Sequence, residues 1–408
     1  MLAMSSARAI IGAHASSSPE TMWVSRIRSV PRLRPAGPRG IAKRPPTMKA
    51  SPVPRPLIAL LLMLATPLAA ATQLSGDRID GTPVVTTLDA ATLPAGSVNR
   101  FWYRPADSAI GQGWYVPVIV VRGAKPGPRL LLTAAIHGDE LNGIAVIHRL
   151  ANEIDPAQLA GTLVMLPGLN TPGLLQEARE FTSTPNFAAD NLNRIMPGDS
   201  NGGASERYAA RLWALMRGNS DFAVDLHTQS RGTAYVMYAF ASTPATLAMA
   251  QLLGPDIIKL DPGVKGTVEN MLTDDGVPAV TLELGYPQVF DTAMVERGVA
   301  GIKRLMADRK MLAPQPAASV TPFVANKLVN VYTPAGGFMT LRVRLGDTVA
   351  AGQVIATLAD PFGRSIGTIT APLAGRVNSI ATNPLREAGD MVLRIAFHSD
   401  DPKCAMGC

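Results

Sequence analysis

Residues 130–140, LLLTAAIHGDE, read as a buried strand that ends abruptly in residues able to do chemistry. The uncharged apolar run suits a strand covered on both faces, and the glycine lets the backbone turn so that neighbouring side chains converge. His137 and Glu140 can therefore enter one pocket. An imidazole and a carboxylate three residues apart make two-thirds of a His/His/Glu zinc site, which needs one more His and an open position for water. Residues 221–228, DFAVDLHT, supply His227 at the end of a second strand-like run. In parallel sheets, ligand sites form beyond the carboxyl ends of strands, where both segments place their polar residues. A lone HxxE is a weak signal, but the chain has only five His. His14 lies in the leader, His148 beside the apolar stripe of a helical stretch and His398 near the C-terminus, which leaves His137 and His227 at strand ends.

At 408 residues the chain is long enough for two or three domains and a large core. Its net charge of +7 suggests an anionic partner until its location is considered. Residues 1–71 hold ten Lys/Arg against the single acid Glu20, a net of +9, so the whole-chain +7 leaves −2 for residues 72–408. Nucleic-acid binding thereby loses its main support. Residues 48–71 begin MKASPVPRP, continue with the apolar run 57–64, and end with Ala69 and Ala71 placed for cleavage. That is the pattern of a secretory signal peptide, with an apolar core too short for a stable membrane span. Residues 1–47, rich in Arg, Pro and Ser, would be unusual ahead of such a signal, and translation is expected to begin near Met48. The body of the protein is expected to be exported, periplasmic or secreted. Cys404 and Cys408, spaced CxxxC in the tail, can pair in an oxidising compartment, but the loop they would close is too small to stabilise much of the fold.

Residues 72–129 are β-rich, with short β-branched and aromatic runs punctuated by Gly and Pro. From residue 130 strands alternate with helices. Apolar residues at 141, 144, 147, 151 and 154 mark the first helix, 205–217 and 291–309 mark later ones, and AVTLELG at 279–285 is a further strand. The expected fold is α/β, a mostly parallel or mixed sheet covered by helices over residues 72–312. Residues 313–322, APQPAASVTP, read as a linker. Residues 323–400 then show only short strands separated by Gly, Asp and Asn turns, a small all-β barrel or sandwich, and 401–408 form a tail. GDTVAAGQVIATL and APLAGRVNSIA resemble the turns of biotinyl and lipoyl carrier domains, but ADPFGRSIGTIT between them lacks the carrier lysine. A fixed structural or substrate-shaping module is the better reading.

Two more groups carry chemistry. Asn193 and Arg194, in DNLNRIMPG, set a five-donor guanidinium beside an amide, which suits bidentate recognition of a carboxylate. Glu283 interrupts an apolar strand, where desolvation would raise its pKa and a water held nearby would give it a proton to move. The set HGDE, NLNR, DLHT and TLELG, in that order, resembles the succinylglutamate desuccinylase/aspartoacylase family within the zinc carboxypeptidase-like clan. The resemblance covers roughly residues 100–310 and implies one Zn2+ per chain on His137, Glu140 and His227, Glu283 as general base and acid, and Asn193 with Arg194 on the substrate carboxylate. The family usually has a second Arg shortly before NLNR that polarises the scissile carbonyl. Here Arg179 lies fifteen residues ahead of Arg194, with Arg231, shortly after His227, as the alternative.

The chain is thus expected to be an exported zinc amidohydrolase that cleaves amide rather than ester bonds in an N-acyl amino acid or similar small carboxylate. A carboxypeptidase or amidase acting on peptides or cell-wall fragments is the second reading, and a non-catalytic binder on the same fold the third. A small-molecule or short-peptide partner follows, with no nucleic acid and no membrane span after signal cleavage. Assembly into a homo-oligomer is left open.

Overall fold

The computed structural model describes residues 71–108, 110–181 and 190–408. Apart from Ala71, the expected signal peptide and the leader before it lie outside the described residues. The chain opens with β1 (Gln73–Ile79), β2 (Thr82–Thr87), β3 (Ser97–Asp107), β4 (Gly113–Arg122) and β5 (Lys125–Ala134). Strands and helices then alternate: α1 (Asn142–Glu153), β6 (Ala160–Leu166), α2 (Thr171–Leu175), α3 (Ala204–Gly218), β7 (Phe222–His227), β8 (Thr233–Tyr235) and β9 (Met237–Ala241). Next come α4 (Pro244–Leu253), β10 (Ile257–Leu260), α5 (Val268–Asp274), β11 (Ala279–Leu284), α6 (Thr292–Asp308) and β12 (Phe323–Ala325).

All of these strands except β8 join one 11-stranded mixed sheet, ordered β1-β2-β3-β4-β6-β5-β7-β11-β9-β10-β12. Its centre, β6-β5-β7-β11, is parallel. The two-residue period of a strand explains how this centre is covered twice. Leu130, Leu132, Val224, Leu226, Val280 and Leu282 pack on one side with residues of α1, α4 and α6. Leu131, Ala223 and Ala279, each adjacent in sequence to one of these, pack on the other side with α3 and α5. Leu130, Leu131 and Leu132 are fully buried, as a strand sandwiched between two helix layers requires.

That alternation also positions the polar residues. Thr133 sits two residues after Leu131, and in register it faces Asp225, which in turn faces Thr281. His227 faces Glu283 one step further along. Thr133, Asp225, His227, Thr281 and Glu283 therefore share the α3/α5 face, at the carboxyl ends of three adjacent parallel strands.

The remaining strands, β13 (Lys327–Tyr332), β14 (Gly337–Leu341), β15 (Thr348–Val349), β16 (Val354–Ala359), β17 (Ser365–Thr370), β18 (Gly375–Ala381), β19 (Leu385–Arg386) and β20 (Met391–Phe397), form two sheets. One is β13-β20-β18-β15 and the other β17-β16-β14-β19, with a core of their own that includes Val377, Ile355 and Ile395. The boundary between the two regions is interlaced. Phe323–Ala325, read from sequence as the start of the second domain, is a parallel partner of β10 in the large sheet. In return β8 leaves the large sheet and pairs with β18. Tyr235, Val236, Tyr238, Ile257, Ala325 and Ala396 form a shared apolar seam, and the described residues make one compact unit.

The turn after β5 works differently from the sequence expectation. The left-handed residue is Ala135, at φ 53°, whereas Gly138 does not have a positive φ. Gly138 is needed for space: a Cβ there would lie 2.1 Å from the carbonyl carbon of Gly173 and 2.4 Å from the backbone nitrogen of Leu174. The HGDE turn is thus pressed against α2. Gly138→Ala is expected to destabilise the protein by about 1–3 kcal/mol through overpacking. A thermal melt should show the loss, and an unchanged melting temperature contradicts this role for the glycine.

Candidate metal centre and active site

The turn after β5 carries His137 and Glu140 to the end of β7, where His227 projects from the same layer. The ligand atoms of His137, Glu140 and His227 all lie within 4.8 Å of one another, and all three residues are buried. Glu140 is the hub. Its Oε1 lies 2.9 Å from His137 Nδ1 and 2.8 Å from an Arg179 Nη1, and its Oε2 lies 2.8 Å from His227 Nδ1. Ser230 Oγ donates to Oε1 at 2.9 Å, and the Thr228 N–H to Oε2 at 3.3 Å.

Both imidazoles turn Nδ1 toward the carboxylate and anchor Nε2 behind. His227 Nε2 meets Asp225 Oδ2 at 2.8 Å, and Thr133 Oγ1 donates to Asp225 Oδ1 at 2.6 Å. His137 Nε2 meets Asn191 Oδ1 at 3.1 Å, and the same oxygen accepts from the Asn193 N–H at 2.9 Å. Metal-bound imidazoles are held in this way, with the outer nitrogen fixed by a carboxylate or carbonyl oxygen.

Two observations test whether this donor set suits a metal. His137 Nδ1 is buried without a hydrogen-bond partner, although it lies close to the carboxylate. The electrostatics also call for positive charge. Burial alone would lower the pKa of His227, but the Asp225 and Glu140 carboxylates outweigh it and hold the imidazole well above its ordinary value. Burial likewise opposes ionisation of Glu140, yet His137 and His227 carry its pKa well below the usual carboxylate range. A divalent ion bound by two nitrogens and a carboxylate oxygen would satisfy both needs.

The cluster opens into a cavity of about 390 Å3, within the roughly 300–1,000 Å3 of small-molecule sites. Seven of the residues singled out from the sequence line it: His137, Glu140, Arg179, Asn193, Arg194, His227 and Glu283. Glu283 is 7% exposed, and its Oε2 is buried without a partner. Burial, reinforced by Glu140 and Asp225, raises its pKa well above the ordinary value against the opposing pull of His227 and Arg179. Asn193 Oδ1 accepts from the Val268 N–H at 2.8 Å, which leaves its NH2 group to offer a ligand. Arg194 donates to the Asn193 carbonyl at 2.6 Å.

Between the two candidate arginines the geometry distinguishes clearly. Arg179 contacts Glu140 and Ser230, whereas Arg231 donates to the Glu177 carbonyl and is absent from the cavity wall. The β13–β20 region adds Leu328 and Arg394 to that wall, and Arg394 donates to Tyr235 Oη at 2.9 Å. The outer groups Thr133, Asp225 and Asn191 were not singled out in sequence, nor was Glu269 of α5, which also lines the cavity. An acid two residues before a strand-end His was the available signal for Asp225.

Residues 126–309 match the succinylglutamate desuccinylase/aspartoacylase catalytic domain. The N-alpha-acetyl-L-2,4-diaminobutyric acid deacetylase of Halomonas elongata is 27% identical over 261 residues, covering 60% of this chain and 74% of that protein. The succinylglutamate desuccinylase of Burkholderia thailandensis is 27% identical over 203 residues, 44% of this chain and 56% of its own. This chain thus spans little more than half of that relative. Among solved structures, the product-bound ectoine utilization protein of Ruegeria pomeroyi superposes with a TM-score of 0.66 at 23% identity, over 75% of this chain and 98% of its own. A succinylglutamate desuccinylase/aspartoacylase of Rhodobacter sphaeroides gives a TM-score of 0.67 at 22% identity, over 76% and 98%. At these identities the superpositions establish a shared fold.

Removing the outer carboxylate isolates its part in metal binding. Asp225→Asn is expected to weaken zinc affinity roughly 10–100-fold while the fold is kept. Titration of the metal-stripped variant against a chromophoric chelator measures this, and wild-type affinity contradicts it.

Proposed function

We propose that this chain, which belongs through residues 126–309 to the succinylglutamate desuccinylase/aspartoacylase family, is a zinc-dependent deacylase that hydrolyses the amide bond of an N-acyl amino acid. The observation that carries the reading is the buried His137/Glu140/His227 cluster, with its unpartnered Nδ1, opening into the same cavity as the desolvated Glu283. Zinc on those three ligands supplies Lewis-acid chemistry, polarising a carbonyl and easing deprotonation of water.

The protein's own groups do the rest. Glu283, made more basic by burial and by its neighbouring carboxylates, takes a proton from the attacking water at its free Oε2. A C–O bond forms at the acyl carbon, the C–N bond breaks, and Glu283 returns the proton to the departing amine, giving a carboxylate and a free amine. Arg179, 2.8 Å from Glu140, offsets the negative charge that develops on the carbonyl oxygen. The Asn193 NH2 group and the Arg194 guanidinium hold the substrate carboxylate.

One observation favours a small substrate over a peptide. Leu328 and Arg394 of the C-terminal strands close one side of the cavity, where a peptide would need an open groove. Export is proposed from the signal-like residues 48–71, and the Cys404–Cys408 disulfide fits an oxidising compartment. No helix among the described residues is long and apolar enough to cross a membrane.

Glu283→Gln removes the proton acceptor but none of the metal ligands. It is expected to bind zinc as the wild type does and to lose roughly a hundred- to ten-thousandfold in turnover of N-acyl amino acids. An amine-release assay with and without chelator, alongside metal analysis, checks both. A fully active Glu283→Gln enzyme removes the assigned base, and chelator-resistant activity removes the metal from the reaction.

A further inference from the structure

The C-terminal strands reach the metal centre through a chain of contacts that the reaction just described leaves unused. Tyr235, the last residue of β8, lines the same cavity as Glu140, His227 and Glu283 and is 5% exposed. In register it faces Ser379 of β18, and Ser379 faces Arg394 of β20 on its other side. Directly paired residues of antiparallel strands share a sheet face, so the small, fully buried serine leaves room for the arginine to reach across it. Arg394 Nη1 donates to Tyr235 Oη at 2.9 Å, and its Nε donates to Asn330 Oδ1 at 2.7 Å, which anchors the guanidinium.

A second donor comes from the metal side. Gln229 stands two residues after His227, and its Nε2 donates to Tyr235 Oη at 3.1 Å. The amide is oriented by its Oε1, which accepts from the Ser230 N–H at 3.2 Å. The hydrogen bonds of the phenol among the described residues are these two, and it accepts both. Its own O–H is left to give. Burial pushes the Tyr235 pKa up to about 12 against the pull of Arg394, so the phenol keeps its proton. The ring is held as well. It packs on Tyr238, centroids 5.3 Å apart, and Tyr238 faces Glu283 in register. The Tyr235 N–H donates to the Gly285 carbonyl, just past β11, at 3.4 Å. A fixed, neutral O–H beside a cation on a cavity wall calls for an oxygen acceptor in the ligand.

We infer that Tyr235 is a catalytic hydrogen-bond donor to the scissile carbonyl oxygen, and that Arg394 and Gln229 are positioning residues that act through it. The inference rests on the deacylase reading. An N-acyl amino acid brings two acceptors whatever its side chain, the carboxylate and the amide oxygen. Asn193 and Arg194 take the first, and the second is left for the phenol. As water adds, that oxygen gains negative charge and the hydrogen bond from Tyr235 strengthens, so that the phenol and Arg179 share the charge. The phenol proton is not transferred: it stays on Tyr235 while Glu283 carries the water's proton to the amine. The C-terminal strands thereby contribute to the chemistry as well as to the enclosure.

The test compares zinc-loaded wild type with Tyr235→Phe, Arg394→Met, Arg394→Lys and the variant combining Tyr235→Phe with Arg394→Met. Substrates are the N-acetyl derivatives of glycine, alanine, leucine, glutamate and lysine. The N-methylphosphonyl derivatives of the same amino acids carry a tetrahedral phosphorus whose anionic oxygen stands in for the carbonyl oxygen of the intermediate, and their binding is measured by calorimetry. Tyr235→Phe is expected to lose roughly 10- to 100-fold in kcat with KM within about twofold, and to bind the phosphonyl analogue more weakly by a similar factor. Arg394→Met should lose less, and Arg394→Lys should recover part of that loss. The combined variant should match Tyr235→Phe, because the arginine acts through the phenol. Full kcat and analogue affinity in Tyr235→Phe, or a loss confined to KM, overturns the donor and leaves the deacylase. Losses that add in the combined variant overturn the part assigned to Arg394. If Tyr235→Phe fails to fold, the Arg394 variants decide with the tyrosine intact: unchanged analogue affinity in Arg394→Met overturns the proposal. Tyr235-dependent analogue binding without hydrolysis of any acyl amino acid removes the deacylase and leaves the donor, and a wild type that neither hydrolyses nor binds removes both.

Discussion

Two carboxylates, Glu140 and Asp225, are buried at the end of the central strands, each 2.8 Å from a nitrogen of His227. Buried charge is costly unless paired and hydrogen-bonded. Much of the surrounding structure can be understood as meeting that demand. Thr133, Ser230 and the Thr228 N–H supply donors, and Arg179 supplies a countercharge. His137 brings a second imidazole whose Nδ1 is left without a partner. A cluster that concentrates negative charge and keeps a nitrogen lone pair unused is organised for a cation, and the adjacent Glu283 inherits its basicity from the same desolvation and the same carboxylates.

The sheet makes this possible at little cost to the core. On β5, β7 and β11 one face is apolar throughout, and the other becomes polar only toward the carboxyl ends. That pattern is why the fold and much of the cavity were legible in sequence. An uncharged run that stops at HGDE, DLHT or LELG marks both a doubly covered strand and the point where its chemistry begins. The less legible parts have physical explanations too. Asp225 and Thr133 look like ordinary strand residues until the register sets them against each other and behind His227. α5 is seven residues long, too short for a helical period to stand out, so Glu269 had no visible context. The apolar run at residues 234–240 is divided between two sheets, because β8 is drawn into the second region while β9 stays in the first. Gly138 was read as a conformational hinge, but it is a contact point that admits no Cβ.

The exchange of strands between the two regions bears on the cavity. With β12 in the large sheet and β8 paired to β18, the C-terminal strands are fixed against the site rather than tethered by a linker. Leu328 and Arg394 reach the cavity wall by this route, and Tyr235, at the end of β8, takes hydrogen bonds from both Arg394 and Gln229. The tail belongs to the same arrangement: the Cys408 N–H donates to the Asn326 carbonyl at 3.0 Å, just after β12. A carrier-like β-module without the carrier lysine is therefore placed as part of the enclosure, consistent with a substrate-shaping role.

The central claim is that His137, Glu140 and His227 together form a metal centre. Its most direct test is the zinc stoichiometry of metal-stripped and reloaded protein, in the wild type and in His227→Ala, measured by mass spectrometry under native conditions. The account predicts one zinc per wild-type chain and none retained by the folded variant. A wild type that takes up no zinc, or a His227→Ala protein that holds it as tightly, would contradict it.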